Sequence, residues 1–268
     1  MQEFVEQCYI NYIEITGIKD NIFPKLNRIV INETTNNYKH ISYAYTNSNN
    51  ILDSTVNLYI HPKLFSYTKQ FQESKLYHEF THILDAITLF KNYNESKRNI
   101  LLSIYSEYHA SQIELICAIG FKTFCHDKRI DLSKTLIPYK NTTSSVEKEY
   151  LRPLNDALKI IQQDNDSYYN IDVVEYYQNY TIFESNLMYY LGKKNLCVEI
   201  SIENILFITN ILEHLFGEFL PIIRNIEENI KLKNFNTLIQ LRNELFNKYI
   251  TYFKFYNIDL LLNVLNTL

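Results

Sequence analysis

Apolar and polar residues recur with two different periods along this chain. Between Asn27 and His61 the period is two: Val56, Leu58 and Ile60 alternate with Asn57, Tyr59 and His61, as in a half-buried strand. The segments Asn27–Asn32, His40–Thr46 and Thr55–His61 are rich in Ile, Val and Tyr. Polar turn residues separate them, predicting three strands in a small antiparallel sheet. From about Phe65 the period becomes helical, with Phe80, Ile83, Leu84 and Ile87 at i, i+3, i+4 and i+7. A short helix ending near Gly17 precedes the sheet, and a helix from about Glu95 to Ile119 follows, with Gly120 as its C-terminal cap. Further helices are predicted near 145–163, 171–191, 202–216, 219–232, 235–254 and 256–267. Ser144-Ser145-Val146-Glu147 reads as a capping box for the first of these, and Pro221 breaks or kinks the run it interrupts. The expected fold is α+β and predominantly α-helical: residues 1–130 carry the sheet and two helices, and residues 131–268 form an all-α half.

Composition narrows the function. A chain of 268 residues with 46% hydrophobic and 21% charged residues can bury a substantial core. Only 4 Gly and 5 Pro argue against a turn-rich sandwich or barrel. The net charge of −4 argues against a nucleic-acid partner. The most apolar stretch, Ile205–Ile223, is interrupted by Asn210, Glu213, His214, Glu218 and Pro221, so no membrane span is expected. Acids at Glu3 and Glu6, where a signal peptide carries bases, lead to a cytoplasmic expectation. Cys8, Cys117, Cys125 and Cys197 form no CxxC pair and read as reduced, mostly buried thiols. Nothing in the sequence fixes the oligomeric state.

One motif carries chemistry: His78-Glu79-Phe80-Thr81-His82, an HExxH. On a helix, residues i and i+4 lie about 40° apart, so both imidazoles can reach one metal ion. The Glu79 carboxylate then lies beside the ion rather than on it, where a general base belongs. A third protein ligand is needed, and the helix after Asn94 offers a stripe of Ser103, Glu107, Ala110, Ser111 and Glu114. Its small residues allow close approach to the His78 helix. Glu107 is the favoured third ligand and Glu114 the alternative. Asp85, one turn beyond His82, reads either as a partner for a ligand imidazole or as a surface acid. Ser111 and Glu114 are candidates for the same supporting shell.

His78–His82, followed 25 residues later by Glu107-Tyr108-His109-Ala110, resembles the HExxH…ExxA arrangement of gluzincin-type zincin metallopeptidases. The resemblance covers about residues 25–120, where a small sheet followed by two helices also matches the zincin layout. It implies a zinc-dependent peptidase acting on a peptide or protein substrate, with Zn²⁺ bound by His78, His82 and Glu107 and with Glu79 as base. A metzincin pattern is not met at Asp85 and Thr88, and the thermolysin pattern departs at Ser111, where it has Asp. Among compact zincins the chain is similar to the ImmA/IrrE-type peptidases, without their N-terminal DNA-binding segment. The alternative reading is a catalytically inactive zincin-fold regulator that binds metal and acts by interaction. The helical half is expected to close the cleft and to contribute at least one Tyr or His near the metal; as carbonyl-polarising donor His109, Tyr108, Tyr189, Tyr190 and His214 are all eligible.

Overall fold

The computed structural model describes residues 2–18, 22, 25–31, 44–46, 56–120, 135–139, 142–162, 173–200 and 213–253. The helix expected at 256–267, most of the one expected at 202–216, and Cys125 lie outside these residues. Helix α1 (Gln2–Thr16) ends at Gly17, which takes a φ of +69° suited to glycine. Three strands follow: β1 (Leu26–Ile31), β2 (Ala44–Thr46) and β3 (Val56–Ile60). In β3 the predicted alternation holds, with Val56, Leu58 and Ile60 buried.

The sheet is mixed rather than wholly antiparallel. Its order is β1-β3-β2; β3 runs antiparallel to β2 and parallel to β1. The chain does reverse direction at each step, but an up-down-up path is fully antiparallel only when the second strand is central. Here the most apolar strand, β3, takes the centre, and β2 is left at an edge beside the next helix.

That helix is α2 (Lys69–Thr88), opened by Thr68, whose side-chain oxygen accepts a hydrogen bond from the Phe71 amide. Its expected apolar stripe is present: Phe80, Ile83 and Leu84 are buried, and Phe80 meets the rings of Tyr9 and Tyr12 at 5.4 and 5.7 Å. The opposite face is buried too, including His78, Glu79 and Asp85, so α2 is the central helix of the fold. The segment predicted as one helix from Glu95 is divided. Helix α3 (Glu95–Leu101) passes through a π-helical turn at Leu102–Ser106 into α4 (Glu107–Ala118), and Gly120 caps the end at φ +81°.

A hairpin of β4 (Leu136–Pro138) and β5 (Thr143–Ser145), absent from the pattern reading, leads into α5 (Val146–Ile161). Ser145 is the N-cap of α5, but Lys148 rather than an acid stands three residues later, so only half of the expected capping box forms. Helix α6 (Val173–Ile200) is followed by a 3₁₀ turn (His214–Phe219), α7 (Leu220–Lys231) and α8 (Phe235–Tyr252). Pro221 sits in the first turn of α7, where its missing N–H costs nothing. Tyr176 and Tyr180 of α6 pack against Tyr249 of α8, and Arg242 reaches back to Glu184 at 2.9 Å.

Helix α6 crosses α4 at Gly192. A Cβ there would collide with Ser111 Oγ and the Tyr108 carbonyl oxygen, so glycine is required for this approach. Cys8, Cys117 and Cys197 are buried free thiols. Among the described residues no helix is long and apolar enough to cross a membrane.

Candidate metal centre

Helices α2 and α4 bring three ligating groups to one point. His78 Nε2 lies 3.0 Å from His82 Nε2, and Glu107 Oε2 lies 3.4 Å from the first and 3.7 Å from the second. Ligands about 2.0 Å from a tetrahedral ion stand about 3.3 Å apart, which these three edges bracket. Glu107 Oε2 is buried with no aligned hydrogen-bond donor, as expected of an atom whose partner is a cation. His78, His82 and Glu107 can therefore hold a metal ion.

Each imidazole has a polar neighbour at its other nitrogen, aligned as a hydrogen bond at His82 but not at His78. His82 Nδ1 is 2.8 Å from Ser106 Oγ. With that nitrogen protonated and donating, the Nε2 lone pair is left for a metal. Ser106 and Glu107 are adjacent residues that grip one imidazole from two sides, where the π turn ends and α4 begins. The wider i→i+5 turn rotates successive side chains less than an α-helix does, which keeps both on the His82 side. His78 Nδ1 faces Glu114 Oε2 at 3.3 Å. Glu114 in turn is held by Lys75 at 2.7 Å and by Lys193 of α6 at 3.5 Å.

Electrostatics follow this arrangement. Burial alone would lower the His78 pKa, but the Glu107 and Glu114 carboxylates facing it raise it to about 10. Burial pulls His82 down to about 4. Glu79 is pushed up to about 7 by burial, although the Thr46 hydroxyl donates to its Oε2 at 3.1 Å. The carboxyl of Glu107 is held low by the two histidines against the effect of burial. The carboxyl of Glu114 is held lower still, chiefly by Lys75 and Lys193.

The remaining sequence candidates fall elsewhere. Asp85 is neither a surface acid nor a partner of a ligand imidazole: it is buried and its carboxylate accepts from His109 Nδ1 at 3.0 Å, because Ser106 already occupies His82 Nδ1. Ser111 does not support the metal ligands; its hydroxyl donates to the Tyr108 carbonyl and its small size admits Gly192. Of the five eligible donors, Tyr189 is the one at the site. Its ring stacks on His78 with centroids 5.2 Å apart, and its hydroxyl is 3.1 Å from His78 Nε2. Tyr108 bonds to Asn195 and Tyr190 to Glu213, while His109 is tied to Asp85. Sequence reasoning missed Thr46, Lys75, Ser106 and Lys193. For Ser106 a signal existed, since it directly precedes Glu107; the others come from distant segments.

His78, Glu79, His82, Glu107, Tyr189 and the edge strand residues Ala44–Thr46 line one cavity of ≈ 410 Å³, within the range of small-ligand sites. Comparison of the chain with protein-family models, with curated proteins and with solved structures finds no match in any of the three.

Proposed function

We propose that the protein is a zinc-dependent metallopeptidase. The observation that carries this reading is the position of Glu79, which shares the cavity with the His78–His82–Glu107 cluster without belonging to it and accepts a hydrogen bond from Thr46. A His₂Glu donor set with a carboxylate alongside is the arrangement of catalytic zinc sites that keep a fourth position open. Bound there, the ion supplies Lewis acidity, lowering the pKa of water and polarising a carbonyl.

The protein's own groups do the rest. Burial raises the Glu79 carboxyl above the usual carboxylate range, which suits it to take a proton from water and return it to the departing amine. The Tyr189 hydroxyl, at the same cluster, is a donor for the oxygen on which charge develops. Strand β2 pairs only with β3 among the described residues and stands in the cavity wall. An extended peptide can add to such an edge, which favours a peptide over a compact small molecule as substrate.

The test is Glu79→Gln. Zinc content should stay at the wild-type level while hydrolysis of any peptide the wild type cleaves falls on the order of hundred-fold or more. Near-wild-type turnover would refute the mechanism, and loss of metal would make Glu79 a ligand. Zinc binding with no cleavage across a diverse peptide library would favour the regulator reading.

A further inference from the structure

Glu114 separates the metal centre from a second cavity. This one measures ≈ 590 Å³ and lies between α2, α4, α6, the start of α5 and the β4–β5 hairpin. Among the described lining residues, the four cations Lys75, Lys148, Arg152 and Lys193 face the two carboxylates Glu114 and Glu149, an excess of two positive charges. Both carboxylates are already engaged. Glu149 takes Arg152 at 3.2 Å and the Tyr139 hydroxyl, and Glu114 takes Lys75 and faces His78.

Lys193 is the least satisfied. Its side chain is 4% exposed; besides the Tyr189 ring, 5.6 Å away, it meets one carboxylate oxygen, at 3.5 Å, which Lys75 holds more closely. A buried ammonium with so little compensation is costly unless something else shares it. Ser144 Oγ, also in the lining, is buried without a hydrogen-bond partner. The N-terminus of the 16-residue α5 opens at the same place, adding its positive dipole end. The lining also holds an aromatic wall in which Phe71 packs on Tyr67 at 4.6 Å and on Tyr139 at 5.1 Å, with Lys75 over the Phe71 ring at 5.2 Å.

We propose that this cavity binds a small organic oxyanion, a phosphate or carboxylate carried on a planar ring, with Lys193, Lys148 and Arg152 on the charge and the aromatic wall on the ring. Glu114 belongs to both this wall and the His78 contact, so ligand and metal affinities are linked; that consequence rests on the metal reading above.

Titration of metal-stripped protein with phenyl phosphate, benzoate, inorganic phosphate and benzyl alcohol tests the site independently of the metal. Saturable binding is expected for phenyl phosphate and benzoate, with inorganic phosphate about ten-fold weaker and benzyl alcohol not binding. The order of the first two distinguishes a phosphate from a carboxylate ligand. Lys193→Met should weaken phenyl phosphate about ten-fold. Lys148→Gln/Arg152→Gln, on exposed side chains that leave the fold intact, should weaken it several-fold. No saturation by about 10 mM in the wild type, or equal affinity in both variants, overturns the proposal. Zinc affinity should change at least about two-fold when phenyl phosphate saturates the wild type. An unchanged value removes the link, and failure to bind zinc at all counts against the metal reading alone.

Discussion

The ring of Tyr189 lies parallel to that of His78, with planes 4° apart and its hydroxyl 3.1 Å from Nε2. One residue comes from α6 and the other from α2, 111 positions earlier. The contact joins the helical half to the candidate ligand cluster, and on the proposed peptidase reading its phenol is the carbonyl-polarising donor. Tyr189→Phe keeps the stack and removes the donor. Metal content and KM should change little while kcat falls on the order of hundred-fold; an unchanged kcat would leave Tyr189 a packing residue only.

Metal content should be about one zinc ion per chain, and His82→Ala should abolish it. Glu107→Ala should cost more affinity than Glu114→Gln, because the first removes a ligand and the second a partner of His78, worth about 10–100-fold. Zinc titration monitored by a competing chelator measures both. Equal losses would move the third ligand away from Glu107.

Ser106→Ala should weaken zinc binding about ten-fold without unfolding the protein. The hydroxyl fixes the His82 ring through Nδ1. Ser106→Thr, which keeps the acceptor, should restore part of the affinity. Identical affinity in Ser106→Ala would show that packing alone orients His82.

Metal uptake should release a proton. His78 has its pKa raised to about 10, so it is protonated at neutral pH until a cation replaces the proton, whereas His82, lowered to about 4, is already neutral. Apparent affinity should therefore rise about ten-fold per pH unit between about 6 and 9. Calorimetry at fixed pH in buffers of different ionisation enthalpy counts the proton directly. A count of zero would mean that His78 is neutral before binding.

Gly192→Ala should destabilise the protein by about 1–3 kcal/mol, because its Cβ meets Ser111 and the Tyr108 carbonyl. The displaced α6 would carry Tyr189 off His78, so kcat should fall with stability. Ser111→Ala in the same chain makes room for the methyl and should recover part of both. Urea unfolding and turnover of the single and double variants check this.

The candidate His78–His82–Glu107 group, the neighbouring Glu79 and the central helix were legible because their signals are local. HExxH places two imidazoles and a carboxylate by helical periodicity alone, and Glu107 stood out on a stripe of small residues. Local signals also marked α1, α5, α7 and the two glycine caps, since capping and apolar period act within a few residues. What lay between distant segments could not be read. Alternation marks a strand but not its neighbour, so the order β1-β3-β2 does not follow from it. Asp85 was assigned by its angle on α2, but its partner was decided by the phase of the neighbouring helix, which the π turn shifts. Among 23 tyrosines, nothing local distinguishes Tyr189. Gly192 lets α6 close on α4 one turn further along, and that crossing delivers the Tyr189 ring to His78. The sequence determined which side chains could do chemistry, because that depends on residue type and helical spacing. Tertiary structure decided which of them meet, because helix crossings and strand order are set by packing between segments far apart in the chain.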